Sequence, residues 1–314
     1  MSDGLHVIFG TGSVGCWIAR ALVARSAPVR AVNRTGRRPA LMPDSVEMVA
    51  ADLSHPARAL AAARDAVTLY QALSPPFDQW HELFPPLQAG ALAAATSVGA
   101  RYVSVENLYM YDSSEPIAED SLVAPRSGKG ELRDHMAREV MAAHQRGEVQ
   151  AAALRASDFY GPGVLESALG KRVFGKLVAG RKAQILGSAD LPHSFAYIED
   201  VGLAAATLGL REETLGQVWI APHAPALTQG EMVEAACRVL GRTPGVVSIS
   251  PRMMRLAGIF NSAARASMEM MYQFNEPFVV DSSRIEETFG LEPTPVELAM
   301  ENTVAWYRAQ AGKA

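Results

Sequence analysis

Three glycines at the spacing G-x-G-x-x-G, Gly10, Gly12 and Gly15, lie between an apolar run, Leu5–Phe9, and a segment whose apolar residues recur at helical spacing from Val14 to Arg25. Val7 and Ile8 give the first run the look of a buried strand, Pro28 stops the helix, and Val29–Val32 reads as a second strand. In that setting each glycine has a mechanical task. The first makes the tight turn, the second lets a pyrophosphate approach the backbone, and the third lets helix pack on strand, with the helix N-terminus facing the phosphate charge. Gly10, Thr11, Gly12, Ser13, Val14 and Gly15 are therefore the candidate phosphate loop of a dinucleotide site.

The end of the second strand selects the dinucleotide. A site for NAD places Asp or Glu there, to hold the ribose 2′-hydroxyl. This chain places Asn33, followed by Arg34 and then Arg37 and Arg38. A carboxylate repels a 2′-phosphate, whereas a guanidinium binds it bidentately. The expected cofactor is NADP(H) in preference to NAD(H).

Composition limits the remaining choices. The chain has 314 residues, 49% hydrophobic and 20% charged, with a net charge of −4. That is enough chain for one large or two closely joined domains, and it carries no nucleic-acid footprint. Cys16 and Cys237 are far apart, which predicts neither a disulfide framework nor a metal site and fits a reducing cytoplasm. The stretch MSDGLHVIFG has no basic region, and its apolar run is too short for a signal peptide or a membrane span, so no membrane partner is expected.

The elements that must carry these residues alternate. Val46–Ala51, Ala66–Gln71, Tyr102–Val105 and Gln150–Arg155 read as further strands; Ala57–Ala63, Pro85–Gly99 and residues 130–145 read as helices. Such alternation predicts an α/β fold, a parallel sheet covered by helices on both faces, with function at the carboxyl ends of the strands. After Gly161 the pattern breaks into helices between Pro and Gly. The predicted organisation is a dinucleotide domain over residues 1–161, its sheet completed by about 194–221, and a smaller substrate lobe over 162–193 and 222–314. A cleft between them is the default substrate site.

With these segments in order, the chain resembles the extended short-chain dehydrogenase/reductases, the NAD-dependent epimerase/dehydratase-like group, over nearly its whole length. The resemblance rests on the glycine motif, Asp52-Leu53, Gln71-Ala72-Leu73, RASDFYGPG (Arg155–Gly163) and FAYIEDVG (Phe195–Gly202). It implies a Rossmann-type doubly wound sheet with a mostly helical lobe, a small-molecule substrate and a homodimer. It also implies that Asp52 and Leu53 lie at the adenine, that Gln71, Ala72 and Leu73 pass the cofactor ribose, and that Ser104 bonds the reacting oxygen. Asp200 reads as a structural hydrogen-bonder.

The resemblance breaks at the chemistry. The family uses a Tyr with Lys four residues later on the helix after the fifth strand. Here there is no Tyr between Tyr111 and Tyr160, and the Lys place holds Arg133, His135 or Met136 according to register. Tyr109 and Tyr111, in SVENLYMYD, are the candidates to supply the proton instead, with Ser104 beside them and Glu106 in the same loop. Lys129 and His135 read as solvated, and Tyr160 as packing near the nicotinamide. His193, Phe195, Tyr197, Trp219, Phe274 and Phe278 are expected to line an apolar cleft, and the methionines of residues 252–274 a buried lobe helix; Glu276 reads as loop surface. The absence of an arginine near His193 argues against a nucleotide sugar and for a small, partly apolar carbonyl or enone. The expected activity is hydride transfer to such a substrate. Its competitors are a non-catalytic NADP(H)-binding sensor and an epimerase or dehydratase that recycles its cofactor.

Overall fold

The computed structural model describes residues 4–312, apart from the side chain of Ala263. Residues 1–3, part of the stretch read above for a leader, lie outside them. Strand β1 (Leu5–Phe9) is buried from His6 onward, and α1 (Ser13–Val23) turns Gly15, Cys16, Ile18, Ala19 and Leu22 inward. There follow β2 (Val29–Asn33), β3 (Glu47–Ala50), α2 (Pro56–Ala63) with Pro56 at its first position, and β4 (Ala66–Gln71). Next come α3 (Trp80–Val98), ended by left-handed Gly99, then β5 (Arg101–Glu106), α4 (Gly128–Gln145) and β6 (Ala151–Arg155). Beyond β6 the chain forms β7 (Phe159–Tyr160), α5 (Lys176–Val178), β8 (Ala183–Leu186), β9 (Pro192–His193), β10 (Ala196–Tyr197), α6 (Ile198–Leu210) and β11 (Val218–Ile220). It closes with β12 (Leu227–Thr228), α7 (Gln229–Leu240), β13 (Val246–Ile249), α8 (Pro251–Phe260), α9 (Ser262–Ser267), α10 (Ser283–Phe289) and α11 (Val296–Ala311).

One expected boundary moves. Helix α3 starts at Trp80, five residues before the proline that the sequence offered as its first turn, so Pro85 and Pro86 sit inside it. Trp80 and Phe84 are buried and meet edge to face at 5.2 Å, and this packing offsets the backbone bonds the prolines cannot make.

Seven strands form one parallel sheet in the order β11-β6-β5-β4-β1-β2-β3. The order reverses between β1 and β4, so the crevice outside their carboxyl ends is the topological switch point. This α/β, Rossmann-like sheet belongs to a compact unit made of residues up to Met110, Lys129–Ala156 and Val201–Ala221. One face of the sheet packs an alanine-rich core with α2 and α3, including Ala59, Ala91, Ala95, Leu69 and Tyr102. On the other face α6 approaches without side chains in the way: a Cβ on Gly202 would stand 2.5 Å from that of Trp17, and one on Gly209 2.1 Å from the Tyr70 hydroxyl.

The second unit comprises Tyr111–Gly128, Ser157–Asp200 and the chain from Pro222 onward. Its strands pair as β8 with β13, β9 with β12 and β7 with β10. Helices α7 and α11 bury Met232, Val233, Met300 and Tyr307 in a common core with Tyr160 and Phe174. A capping box, Thr228 with Glu231, starts α7, and Gly241 ends it. Asp200 accepts from the Thr294 backbone at 2.8 Å and its hydroxyl at 2.6 Å, the structural role read from the sequence.

Candidate active site

The glycine loop follows β1 at the switch point. Gly10 has φ +104°, and a Cβ there would stand 2.4 Å from the Ala72 carbonyl oxygen, so only glycine lets the loop pass the end of β4. A Cβ on Gly15 would strike the Gly10 carbonyl at 2.0 Å, whereas one on Gly12 would meet nothing within 4 Å. The loop is thus closed toward the protein at its first and third glycines and open at its second. Gly12 caps α1 and brings no capping side chain to the helix's first amides, and its first turn holds no acid. An open, uncapped helix start of this kind fits a pyrophosphate. Cys16 points inward, its thiol 3.5 Å from the Thr11 carbonyl, and burial pushes it up to about 11, so it is an inert thiol.

Asn33 ends β2 and organises the basic loop. Its amide donates to Thr11 Oγ1 and to the Arg37 carbonyl, both at 2.9 Å, and its carbonyl accepts from the Thr35 amide at 3.0 Å. The three arginines then separate. Arg38 donates to the Pro43 and Val46 carbonyls and pins residues 39–46. Arg34 and Arg37 are exposed, and neither guanidinium has a protein partner among the described residues. Two such guanidiniums, in the loop that Asn33 ties to Thr11, are donors of the kind that bind phosphate bidentately. Asp52 is occupied by its own turn, accepting from the Ser54 amide and hydroxyl, which hold its carboxyl below the usual range. Leu53 is buried beneath it, and Ala72 and Leu73 are half-buried at the end of β4.

The reaction end is built on β5. Tyr102, Ser104 and Glu106 alternate onto one face. Ser104 is fully buried and donates to Glu106 Oε1 at 3.0 Å; Arg155, at the paired register on β6, donates to Oε2 at 2.9 Å. A serine hydroxyl has one proton, and in this arrangement that of Ser104 is directed at Glu106. Tyr111 is 1% exposed and donates its hydroxyl proton to the Glu119 carbonyl at 3.1 Å. Tyr109 is half-buried, its ring stacked on Trp80 at 6.1 Å.

Helix α4 holds what the sequence reading missed. Lys129, expected in solvent, is 3% exposed with Nζ 4.5 Å over the Phe77 ring. Arg133, four residues on and so on the same face, is 2% exposed with its guanidinium 4.6 Å over Phe84. Burial pushes the Arg133 guanidinium down, opposed by the charge of Glu106. His135 is at the surface beside Glu139, as expected. On β4, α3, β5 and α4, buried polar atoms without a hydrogen-bond partner among the described residues include both amide atoms of Gln71, Gln88 Oε1, the Tyr102 hydroxyl and Arg133 Nε. A signal was available in the sequence: Glu106 and Arg155 are ionisable residues at the carboxyl ends of two strands, and in neighbouring parallel strands such residues can pair.

The residues expected to line a substrate cleft pack instead. His193 is 2% exposed and stacks with Phe195, Phe274 and Phe278 at 4.4–5.1 Å, its ring nitrogens against the Gln273 carbonyl and Asp158. Trp219, on β11 in the other unit, is buried and donates to the Thr214 carbonyl. Burial raises the Tyr160 phenol above its usual value, with Asp200 adding, which suits a packing ring. Glu276 lies at the surface, held by Arg126 through two bonds.

The NAD dependent epimerase/dehydratase family matches residues 7–218. No curated protein matches the chain. Among solved structures, gox2253 superposes with TM-score 0.80 at 17% identity, over 98% of this chain and 99% of its own. The dTDP-glucose 4,6-dehydratase DesIV of Streptomyces venezuelae, solved with NAD and TYD, gives 0.79 at 17% identity, over 98% of each chain. The UDP-glucuronic acid 4-epimerase of Bacillus cereus, solved with UDP-glucuronic acid and NAD, gives 0.78 at 15% identity, over 98% of this chain and 99% of its own.

Proposed function

Because the chain belongs to the NAD dependent epimerase/dehydratase family, we propose that it is an NADP(H)-dependent reductase of that family, acting on the carbonyl or activated alkene of a small, partly apolar substrate. The observation that carries the cofactor choice is the pair Arg34 and Arg37, exposed and unengaged beside Asn33 where an NAD site has an acid. Gly10, Thr11, Gly12, Ser13, Val14 and Gly15 hold the pyrophosphate, Asp52 and Leu53 border the adenine, and Gln71, Ala72 and Leu73 border the ribose. The bound nicotinamide supplies the hydride.

Tyr109 supplies the proton. It is the tyrosine of the β5 loop that is half-buried rather than sealed, and Trp80 fixes its ring. Glu106, held by Ser104 and Arg155, keeps the loop start in place. An activated alkene asks less of an acid than a ketone does, because its enolate takes a proton from solvent; the missing Tyr–Lys pair therefore favours that substrate class. One observation favours a second reading, in which NADP(H) is bound and sensed without turnover: Ser104 is sealed with its proton committed to Glu106. The family's epimerases and dehydratases make cofactor recycling the third.

Titration with NADPH and NADH tests the cofactor assignment first. NADPH is expected to bind at least about tenfold more tightly, and Arg34→Ala with Arg37→Ala to remove the difference, since each charge-assisted contact contributes about 1.5–3 kcal/mol. NADPH oxidation with enones, ketones and aldehydes then tests turnover, and Tyr109→Phe the proton donor. Tighter NADH binding would overturn the cofactor assignment.

A further inference from the structure

Helix α8 carries its largest apolar side chains on the outside. Met253, Leu256, Ile259 and Phe260 are 50%, 67%, 64% and 92% exposed, while Met254 and Gly258 face inward, Met254 into a cluster with Leu186, Met271 and Phe274. The expectation of a buried lobe helix holds for Met254, Met270 and Met271 and fails for Met253. At 3.6 residues per turn the four exposed side chains span an arc of about 120°, opposite the buried pair. Ser250 caps the start with Pro251 behind it, and Asn261 caps α9, so Phe260 stands at a fixed corner.

The charge along the sequence that holds this stripe is of one sign. From Ala235 to Met268 there is no Asp or Glu, but there are Arg238, Arg242, Arg252, Arg255 and Arg265, in a chain whose net charge is −4. Arg252 and Arg255 are exposed, Arg252 within the arc of the stripe and Arg255 at its edge, and they bond no other side chain among the described residues. An exposed apolar stripe with guanidiniums within it and along one edge is the pattern of a segment that lies in a headgroup layer, apolar side down and cations reaching the phosphates. No described helix is long and apolar enough to cross a membrane, so such contact is peripheral.

We propose that α8 docks the protein on an anionic lipid surface, with Met253, Leu256, Ile259 and Phe260 entering the acyl boundary and Arg252 and Arg255 meeting the phosphates. This revises the expectation of no membrane partner, and it is independent of the reductase reading. The test is co-sedimentation of the full chain with vesicles of phosphatidylcholine alone and of phosphatidylcholine and phosphatidylglycerol in equal parts. The expected result is binding to the anionic vesicles that weakens as salt rises. Leu256→Ser with Phe260→Ser is expected to lower it about tenfold or more, and Arg252→Glu with Arg255→Glu to abolish the anionic preference. The thermal midpoint should stay unchanged, since these side chains are in water. Failure to bind either vesicle, or equal binding to both, overturns the proposal. So does sedimentation velocity without lipid in which Leu256→Ser with Phe260→Ser turns a dimer into a monomer, because a second copy is then what covers the stripe.

Discussion

Glu106 gives each of its carboxylate oxygens to a different strand's donor, Ser104 and Arg155, while the buried guanidinium of Arg133 lies within reach of its charge. Removing an anion that faces two buried cations is costly, about 3–5 kcal/mol by precedent for broken buried pairs. Glu106→Gln should therefore lower stability by that order in urea unfolding, and adding Arg133→Met should return part of the loss. Additive losses would show that Arg133 is compensated elsewhere. His6 gives a pH signature. Burial, with Arg101 adding, pushes its imidazole down to about 4 from the ordinary 6.5. Between those values the unfolded chain binds a proton that the folded chain does not, so stability falls as pH drops through that window and is unaffected above it. The full loss is about 3 kcal/mol, and His6→Gln should flatten the profile measured by denaturant melts from pH 7 to pH 4.

At the scale of elements, α6 sits on the sheet through two glycines. Gly209→Ala would drive a methyl into the Tyr70 hydroxyl, which is itself held by His6 at 3.1 Å, so the helix must lift. A loss of about 1–3 kcal/mol is expected from thermal melts, and an unchanged midpoint would mean that Tyr70 swings aside. The elements themselves were readable because local signals agree: Val7 and Ile8 beside Gly10, Pro28 before β2, and alternating βα segments that leave a parallel sheet as the consistent solution. Where reading failed, the deciding contact was distant. The start of α3 depends on Trp80 and Phe84 packing with Met136, more than fifty residues on. Lys129 was expected in water because nothing in SGKGE announces the Phe77 ring that covers it. The pairing of Glu106 with Arg155 likewise depends on the register of β5 beside β6, and Ser104, two residues before Glu106 on β5, bonds the same carboxylate.

For the whole molecule, the decisive fact is that neither unit is continuous in sequence. The sheet is finished by β11, whose neighbours bond β6 through Ala153 to Gln217, Gly216 to Ala151 and Ala221 to Arg155. A fragment ending at residue 161 would leave that edge of β6 bare, a template for strand pairing between chains. It is expected to elute as aggregate in size-exclusion chromatography, whereas a monodisperse, NADPH-binding fragment would show β11 to be dispensable. In the full chain a ligand that binds only the folded state at a hundred times its dissociation constant adds about 2.7 kcal/mol. A cofactor-dependent rise in midpoint is thus a screen for occupancy that needs no substrate.

The basic loop after β2 has a consequence for descent. Arg38 is spent on holding the chain, while Arg34 and Arg37 hold nothing, so selection can alter those two without touching stability. Asn33 is not so disposable: an aspartate there cannot make the two donations to Thr11 and Arg37. A lineage with this loop can drift from one dinucleotide toward the other by trading its two idle arginines, and meets a barrier at the position where an acid would complete the exchange.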